Sequence, residues 1–288
     1  MIWLVCTTDS HDGLSEHYRR LVSSLQVVAG KVDLNLFTLF QQPGEEAMSA
    51  IAAMPGFVRP VMSDTRLSLS QARNRILRAI AAEEGFTEDS LILFPDDDCW
   101  FTDAYLPIVG QMFAQDPQLQ YWFCRYGSSP AADPALFGAT RPALASDVVR
   151  RSSSITLVIR GSRMARIGLF DEGLGVGSAL NGGEDTDFAV RLYRSGGKGL
   201  ACRHALIGHR DWNPANRARY FAGSATVLAR NAWANTGLAG EYLRKMISGL
   251  SLVARGKLSL SDFALGLRAL RWPGVRPGPL SSCLSLKG

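Results

Sequence analysis

Cysteine is scarce in this sequence, and its few copies follow no recognised spacing. Five cysteines are scattered through 288 residues, with no CxxC pair among them. An odd number without short spacings indicates neither a disulfide framework nor a cysteine zinc site, and it favours a reducing compartment. The five are Cys6, Cys99, Cys124, Cys202 and Cys283.

Long apolar runs are missing as well. No run approaches the roughly 20 residues that a transmembrane helix requires. Residues 1–6 are apolar from the start and lack the basic region and the cleavage site of a signal peptide. We therefore expect residues 2–6 to form a first strand, and we expect a cytoplasmic protein that is either free or peripheral on the inner face of the membrane.

Acidic residues are nearly absent from the last part of the chain. Residues 201–288 contain 13 Lys/Arg and three Asp/Glu, whereas residues 1–200 contain 18 and 23. Such a basic C-terminal part favours phosphate, anionic lipid or nucleic acid as a partner. Nucleic acid is the least favoured, because the basic residues lie on no recognisable motif.

The rest of the composition is that of a globular domain, with 47% hydrophobic and 20% charged residues. Short apolar runs alternate with amphipathic segments, which predicts parallel βαβ construction. We expect strands at 2–6, 33–40, 57–62, 91–94, 119–124 and 154–160. We expect helices at 14–29, 44–53, 69–84, 103–115, 161–167 and 184–195.

Residues 126–147 interrupt this alternation, since they are rich in Ala, Pro, Gly and Ser and show no periodicity. A long stretch without regular structure in a compact domain is usually functional. We interpret it as a mobile loop on the acceptor side of a site, and a plain surface insertion is the alternative.

Three adjacent carboxylates, Asp96, Asp97 and Asp98, follow the apolar run 91–94 and Pro95. The run predicts a buried strand, and its carboxyl end is the edge at which open α/β sheets bind ligands. Three like charges repel each other unless a cation lies among them, and Mg²⁺ and Mn²⁺ prefer carboxylate oxygens. The pattern therefore predicts a divalent-cation site, with a solvated acidic turn as the alternative.

A second acidic group opens the helix predicted at 184–195. Glu184, Asp185 and Asp187 fall in its first turn, directly after Gly182 and Gly183. Acids at this position also cap a helix, which is the simpler explanation. The two glycines favour a close backbone approach that aims the carboxylates into a cleft, where one of them can accept a proton from a substrate hydroxyl.

Five short motifs occur in a fixed order within residues 1–212. They are Ser70-Gln71-Ala72-Arg73-Asn74, Asp96-Asp97-Asp98, Gly168-Leu169-Phe170-Asp171-Glu172, Gly183-Glu184-Asp185-Thr186-Asp187 and His209. Together they resemble the family-2 glycosyltransferases of GT-A fold. The resemblance implies an α/β, Rossmann-like domain with a mostly parallel sheet flanked by helices. It also implies inverting transfer of a sugar from a nucleotide-diphosphate donor to a hydroxyl acceptor.

The resemblance also implies the cofactor and its ligands. Asp98 matches the direct ligand of a Mn²⁺ or Mg²⁺ ion, and Asp96 and Asp97 match positions that face the ribose or the hydrated metal. His209 matches a further metal contact, with His204 as its rival.

Four more roles are carried over by position. Asp185 matches the catalytic base and Glu184 an acceptor contact. Thr7, just after the first strand, matches a nucleotide contact, and Arg73 matches a position near the diphosphate. In such a mechanism the acceptor oxygen attacks C1 in a single displacement without a covalent sugar–enzyme intermediate.

The chain after residue 212 is basic and has a helical pattern. We expect residues 213–272 to form a helical extension with segments at 215–233, 238–255 and 258–272, and residues 273–288 to form a disordered tail. Basic amphipathic helices bind anionic lipid. The alternative is that they pack on the catalytic domain and expose a solvated basic face.

The leading hypothesis is a metal-dependent glycosyltransferase of bacterial-type cell-surface glycan or polysaccharide assembly, with a glycan or lipid-linked acceptor and no nucleic-acid partner. A Mg²⁺-dependent nucleotidyl or pyrophosphate enzyme is an alternative, although no phosphate loop is present near the N-terminus. A prenyl-synthase DDxxD pattern fails, because Trp100 stands at its last position. A non-catalytic nucleotide-sugar-binding module is the third possibility.

Overall fold

The computed structural model describes residues 1–151, 153–211, 213 and 216–271. The chain forms a mixed α/β structure around one sheet with the strand order β3-β2-β1-β4-β8-β6-β9-β5. β7 pairs with the first half of β9. The strands are β1 (Ile2–Asp9), β2 (Leu34–Gln41), β3 (Val58–Ser63), β4 (Leu91–Leu93), β5 (Trp100–Phe101), β6 (Leu119–Gly127), β7 (Thr140–Pro142), β8 (Leu157–Arg160) and β9 (Lys198–Gly208).

Helices flank the sheet, and four more α-helices follow the last strand of the sheet in the described part of the chain. In chain order they are α1 (Glu16–Gln26), α2 (Glu45–Ala52), α3 (Leu69–Glu83), α4 (Tyr105–Gln115), α5 (Ala145–Arg151), α6 (Gly161–Ile167), α7 (Glu184–Arg194), α8 (Asn216–Arg219), α9 (Phe221–Asn231), α10 (Thr236–Ala254) and α11 (Leu260–Arg268).

The N-terminal half confirms the predicted parallel construction. β1 pairs in parallel with β2 and β4, and β2 pairs in parallel with β3. The carboxyl ends of these strands therefore meet at one edge, where β4 delivers the aspartates. β8 is shorter than predicted, because residues 154–156 form a 3₁₀ turn before the strand begins. It runs antiparallel to β4.

Two hydrophobic layers cover the two faces of the sheet. Alternate residues of β1 show this division: Leu4 and Cys6 pack in the layer with α1, α2 and α4, whereas Trp3 and Val5 pack in the layer with α3, α6 and α7. A sheet covered on both faces requires strands that are apolar on both sides, which explains the continuous apolar runs in the sequence.

The interpretation of residues 126–147 as a loop without regular structure is wrong in part. The segment contains the end of β6, a 3₁₀ turn at Pro134–Leu136, β7 and the start of α5. β7 has three residues and ends in a proline, so it is too short for a periodic signal. It is anchored by antiparallel pairing to β9.

The C-terminal helices pack on the sheet domain. A small core of α9, α10 and the segment before α11 contains Phe221, Met246 and Leu258, and Leu238 of α10 joins the layer of α3 and α7. Among the described residues no helix is long and apolar enough to cross a membrane. The predicted tail at 273–288 and Trp272 lie outside the described residues.

Candidate active site

The three aspartates emerge where the sequence predicts, directly after β4, but they point to different partners. Asp97 Oδ2 accepts a 2.7 Å hydrogen bond from Thr8 Oγ1 of the neighbouring strand β1. β1 continues to Asp9, so Thr7 lies within the strand rather than after it. Thr7 is half-buried at this edge, and the residue that contacts the aspartates is Thr8.

Arg73 joins the two acidic groups. Its side chain is 3% exposed and donates from Nη1 to Asp185 Oδ1 at 3.1 Å and from Nη2 to Asp96 Oδ1 at 3.2 Å. Nη2 also donates to Ser154 Oγ at 2.8 Å, and Ser153 Oγ donates to the second carboxylate oxygen of Asp185 at 3.1 Å. Both oxygens of the Asp185 carboxylate are therefore held by donors, which fixes its orientation.

The helix α3 explains how an arginine is tolerated there. Ser68 and Gln71 form a capping box that fixes the start of the helix. One turn later, the Arg73 guanidinium lies 5.3 Å from the ring centre of Phe170 and 6.0 Å from that of Phe94. The apolar part of the arginine is thus covered by aromatic rings, while its charge is neutralised by two carboxylates.

Asn74 connects the same helix to the glycine-rich segment. It accepts from the backbone N–H of Phe170 at 2.8 Å and donates to the carbonyl of Phe170 at 3.0 Å and to Glu172 at 2.9 Å. The Phe170 ring stacks on Phe188 of α7 with centroids 4.2 Å apart. Two of the five motifs therefore lock α3, this segment and α7 together beneath the site.

Gly182 and Gly183 bring α7 against α9. Both have left-handed φ angles, +84° and +92°. A Cβ on Gly183 would lie 2.6 Å from the backbone carbon of Gly223 in α9, and a Cβ on Gly182 would lie 2.8 Å from Tyr220. This confirms that the glycines permit a close backbone approach, and the approached element is the first turns of α9.

We define the acidic centre as Asp96, Asp97, Asp98, Glu184 and Asp185, and burial raises the pKa of three of its carboxyl groups, those of Asp96, Asp97 and Glu184. Burial raises the pKa of Asp96 to about 6, although the charge of Arg73 opposes the shift. Burial and then the charge of Asp185 hold the pKa of Glu184 well above its usual range. Burial lowers the pKa of Arg73, but Asp185 and Asp96 outweigh it and keep the guanidinium cationic.

Asp98 and His209 form the part of the site that fits a metal ion. His209 Nδ1 lies 2.8 Å from the carbonyl of Arg210, which can only accept, so Nδ1 carries the proton. The buried Nε2 has no hydrogen bond of good geometry, although Asp98 Oδ1 is 3.0 Å away. In the neutral ring this nitrogen presents a lone pair towards a carboxylate, and a cation between them removes that repulsion.

Other groups surround this pair. Arg210 Nε lies 3.2 Å from Asp98 Oδ2, and Tyr126 packs edge-on against the imidazole. The Cys99 thiol completes a cluster of three potential ligand atoms within 4.8 Å. Cys99 is also part of the hydrophobic core, where burial and then the charge of Asp96 raise the pKa of its thiol. His204, the alternative to His209, contacts Arg203 instead.

A main cleft of about 710 Å³ opens above these residues. Asp96, Glu184, Asp185 and His209 line one part of it. Its other part is lined by basic side chains of α5, α8 and α10, of which the sequence indicated only those of α8 and α10, as part of a general C-terminal excess of charge. They are Arg150, Arg151, Arg217, Arg219, Arg244 and Lys245.

Sequence reasoning missed several contact residues. Thr8, Ser153 and Ser154 hydrogen-bond to the acidic centre or to Arg73, and Arg210 pairs with Asp98. Single hydroxyl residues carry no recognisable pattern. Arg210 could have been suggested from the sequence, because it directly follows His209, which was already a candidate site residue.

Solved structures with similar folds include S. aureus TarS 1–349, which matches with a TM-score of 0.62 at 14% identity over 93% of this chain and 78% of that chain. Its complex with UDP-GlcNAc matches with a TM-score of 0.60 at 14% identity over 94% and 80%. GalNAc-T7 with UDP, GalNAc and Mn²⁺ matches with a TM-score of 0.52 at 16% identity, over 79% of this chain and 47% of that chain.

Identities this low show the fold alone. The fold is that of the GT-A-like glycosyltransferases, with a mostly parallel central sheet flanked by helices, and the predicted fold class is confirmed. No protein-family model matches the sequence, and a comparison with curated proteins finds no match.

Proposed function

We propose that this protein is a glycosyltransferase that moves a sugar from a nucleotide-diphosphate donor to a hydroxyl group of an acceptor. The observation that carries the proposal is that one cleft brings together two carboxylates with different surroundings. Asp98 with His209 has the chemistry of a metal site, and Asp185 is held by Arg73 and Ser153 at the wall of the same cleft. The similar structures that bind UDP, UDP-GlcNAc or UDP with Mn²⁺ support it.

Asp98 and His209 would hold a Mn²⁺ or Mg²⁺ ion. When bound, such an ion supplies Lewis-acid stabilisation of the charge on the departing nucleotide diphosphate. We assign Thr7, Asp96 and Asp97 to the nucleotide side of the donor. Thr8 positions Asp97 through its 2.7 Å hydrogen bond.

Asp185 is the proposed general base. The acceptor oxygen attacks C1 of the donor sugar as the bond from C1 to the diphosphate oxygen breaks, and the hydroxyl proton passes to Asp185. Attack opposite the leaving group inverts C1. Arg73 keeps the Asp185 carboxylate oriented and also lies next to Asp96, on the donor side. Glu184, at the cleft wall, contacts the acceptor.

Several finer assignments belong to the same proposal. They are membership of family 2, an inverting outcome, a role in cell-surface glycan or polysaccharide assembly, a cytoplasmic location, and a division into a catalytic domain at 1–212 and an extension at 213–272. Peripheral membrane association is supported by apolar side chains that are about 60% exposed on one face of α10. They are Leu243, Ile247 and Leu250.

Vesicle co-sedimentation tests the membrane part. We expect the chain to pellet with anionic vesicles at low salt, and Leu243→Gln/Ile247→Gln to reduce the pelleted fraction severalfold. Met48→Gln, an exposed apolar residue of α2, is the control. Equal pelleting of all three chains would contradict this surface.

A nucleotide-release assay tests the function itself. The purified chain is incubated with UDP- and GDP-sugars and Mn²⁺, with water or a glycan as acceptor. We expect release of a nucleoside diphosphate from one donor and its loss in EDTA. Release of pyrophosphate would favour the nucleotidyl enzyme instead, and binding without turnover for every donor and acceptor would favour the binding module.

A further inference from the structure

A second cavity of about 660 Å³ adjoins the main cleft and is lined mostly by cations. We call it the basic pocket and define it by six side chains from β6, α5, α8 and α10. They are Arg125, Arg150, Arg151, Arg217, Arg244 and Lys245. Several of these side chains and Tyr126 line both cavities, so the pocket continues the main cleft rather than opening elsewhere.

The acids near the basic pocket do not neutralise it. Glu241 is 4% exposed and accepts from Arg150 and Arg244, so it lies beneath these side chains and holds them in position. Asp211, the acid in the lining, accepts from the backbone N–H and the hydroxyl of Ser128. Asp147 pairs with Arg151 at 3.7 Å but is shared with an arginine outside the pocket. Six cations against these three carboxylates leave an excess of three positive charges facing one cavity.

Lys245 shows this excess most clearly. No carboxylate among the described residues pairs with its ammonium group, which lies 5.1 Å from the ring centre of Phe221. Burial, followed by the charges of Arg244 and Arg217, lowers the pKa of Lys245 to about 8. A half-buried lysine crowded by arginines is electrostatically unfavourable unless an anion binds among them.

The basic pocket lies on the acceptor side of the proposed reaction. Arg151 is two residues before Ser153, which donates to the proposed base Asp185, so the two backbones are within about 7 Å of each other. None of the proposed donor residues, Asp96, Asp98 and His209, lines the pocket. An anion bound there would be close to the attacking hydroxyl and separate from the donor diphosphate.

We infer that the basic pocket binds a phosphate group of the acceptor, so that the acceptor is a phosphate-bearing molecule rather than a neutral glycan. This inference rests on the proposed function for its orientation towards Asp185. Several arginines and a lysine converging on one cavity match the oxygens of phosphate monoesters, phosphodiesters or diphosphates. The C-terminal helices therefore contribute part of the substrate site.

Calorimetry with inorganic tripolyphosphate in EDTA tests the pocket without the metal-dependent donor site. We expect the full chain to bind it, more weakly as salt rises. Arg125→Gln/Lys245→Gln should weaken binding at least about tenfold. Neither residue has a carboxylate partner among the described residues, so the substitutions leave no acid unpaired.

Arg255→Gln is the matched control, because Arg255 ends α10 and lines neither cavity. We expect wild-type affinity for this control, and a wild-type melting temperature will show that the double variant is folded. Lys245→Arg in the Arg125→Gln background should restore part of the affinity. Absent binding to wild type, or equal binding to the double variant, would overturn the inference.

The source of the phosphate is tested by displacing tripolyphosphate with a soluble glycerol-phosphate oligomer or with phosphatidylglycerol vesicles. Displacement by either one supports the inference and identifies the source, and displacement by neither contradicts it. Binding of UDP with Mn²⁺ is measured separately on wild type. If that binding fails while tripolyphosphate binds, the proposed donor site is wrong and the anion pocket stands.

Discussion

The acidic centre and the basic pocket lie side by side on one cleft and are built in opposite ways. The acids belong to rigid elements, the end of β4 and the first turn of α7, and Arg73 joins them from below. The cations come from four elements that are distant in sequence, and buried Glu241 holds two of them. The acidic centre concentrates negative charge around one buried arginine, whereas the basic pocket concentrates positive charge around one buried glutamate.

This separation has a chemical consequence. In the proposed function a donor diphosphate needs a cation to approach Asp96, Asp97 and Asp98, since like charges repel. An acceptor phosphate is attracted to the basic pocket without one. Under this proposal the two ends of the cleft attract two anionic substrates by different means, which would keep their binding positions distinct.

Removing the proposed base should have the largest effect, and it should impair the acidic centre without changing the basic pocket. We expect Asp185→Asn to slow transfer about 10²–10⁴-fold while donor binding persists, the usual effect of losing a general base. Asp116→Asn, at a surface pair with Lys198, is the control. Near-normal turnover of Asp185→Asn with donor and acceptor would return Asp185 to a helix-capping role.

Replacing Arg73 tests whether the two acidic groups are held together through it. We expect Arg73→Gln to lower the free energy of unfolding by about 3 kcal/mol, because it leaves Asp96 and Asp185 without their buried partner. Arg75→Gln, exposed on the same helix, should change stability by no more than about 0.5 kcal/mol. Urea unfolding measures both, and a similar loss for the two variants would contradict the bridging role.

The acidic centre was largely predictable because its signals are local. Three aspartates after an apolar run and two glycines before an acidic helix turn are visible in short windows of sequence. Arg73 was assigned to the site only by resemblance. Its burial between Asp96 and Asp185 depends on partners 23 and 112 residues away, and no helical pattern encodes that contact.

The basic pocket could not be predicted as a site for the same reason. The sequence shows an excess of C-terminal charge, but not that Lys245 lines one cavity together with Arg125 and Arg151. Short elements such as β5 and β7 were also missed, because two or three residues give no periodic signal. The end of β1 extends beyond its apolar run, which is why Thr7 was placed after the strand and Thr8 was overlooked.

The smallest expected effect concerns Glu184, and it tests whether this residue is protonated more readily in the folded protein than in the unfolded chain. Its pKa is raised on folding from an ordinary value of 4.5, so the native state binds the proton more tightly than the unfolded chain does. The stability that Glu184 contributes should therefore fall as pH rises from about 4.5 to about 7.

Glu184→Gln removes this penalty. We expect the variant to be more stable than wild type by about 1 kcal/mol at pH 8 and by less at pH 5. Glu83→Gln, exposed on α3, should show no such trend. Urea unfolding at the two pH values measures it, and a stability difference independent of pH would show that Glu184 does not titrate in this way.

The most direct test of the central claim is calorimetry of UDP and GDP with the wild-type chain and with Asp98→Asn, in Mn²⁺ and in EDTA. The account predicts that wild type binds one nucleotide diphosphate in Mn²⁺ at least about 100-fold more tightly than in EDTA, and that Asp98→Asn loses most of this difference. Equal affinity of the wild type in Mn²⁺ and in EDTA would contradict the claim that the acidic centre binds its donor through a cation.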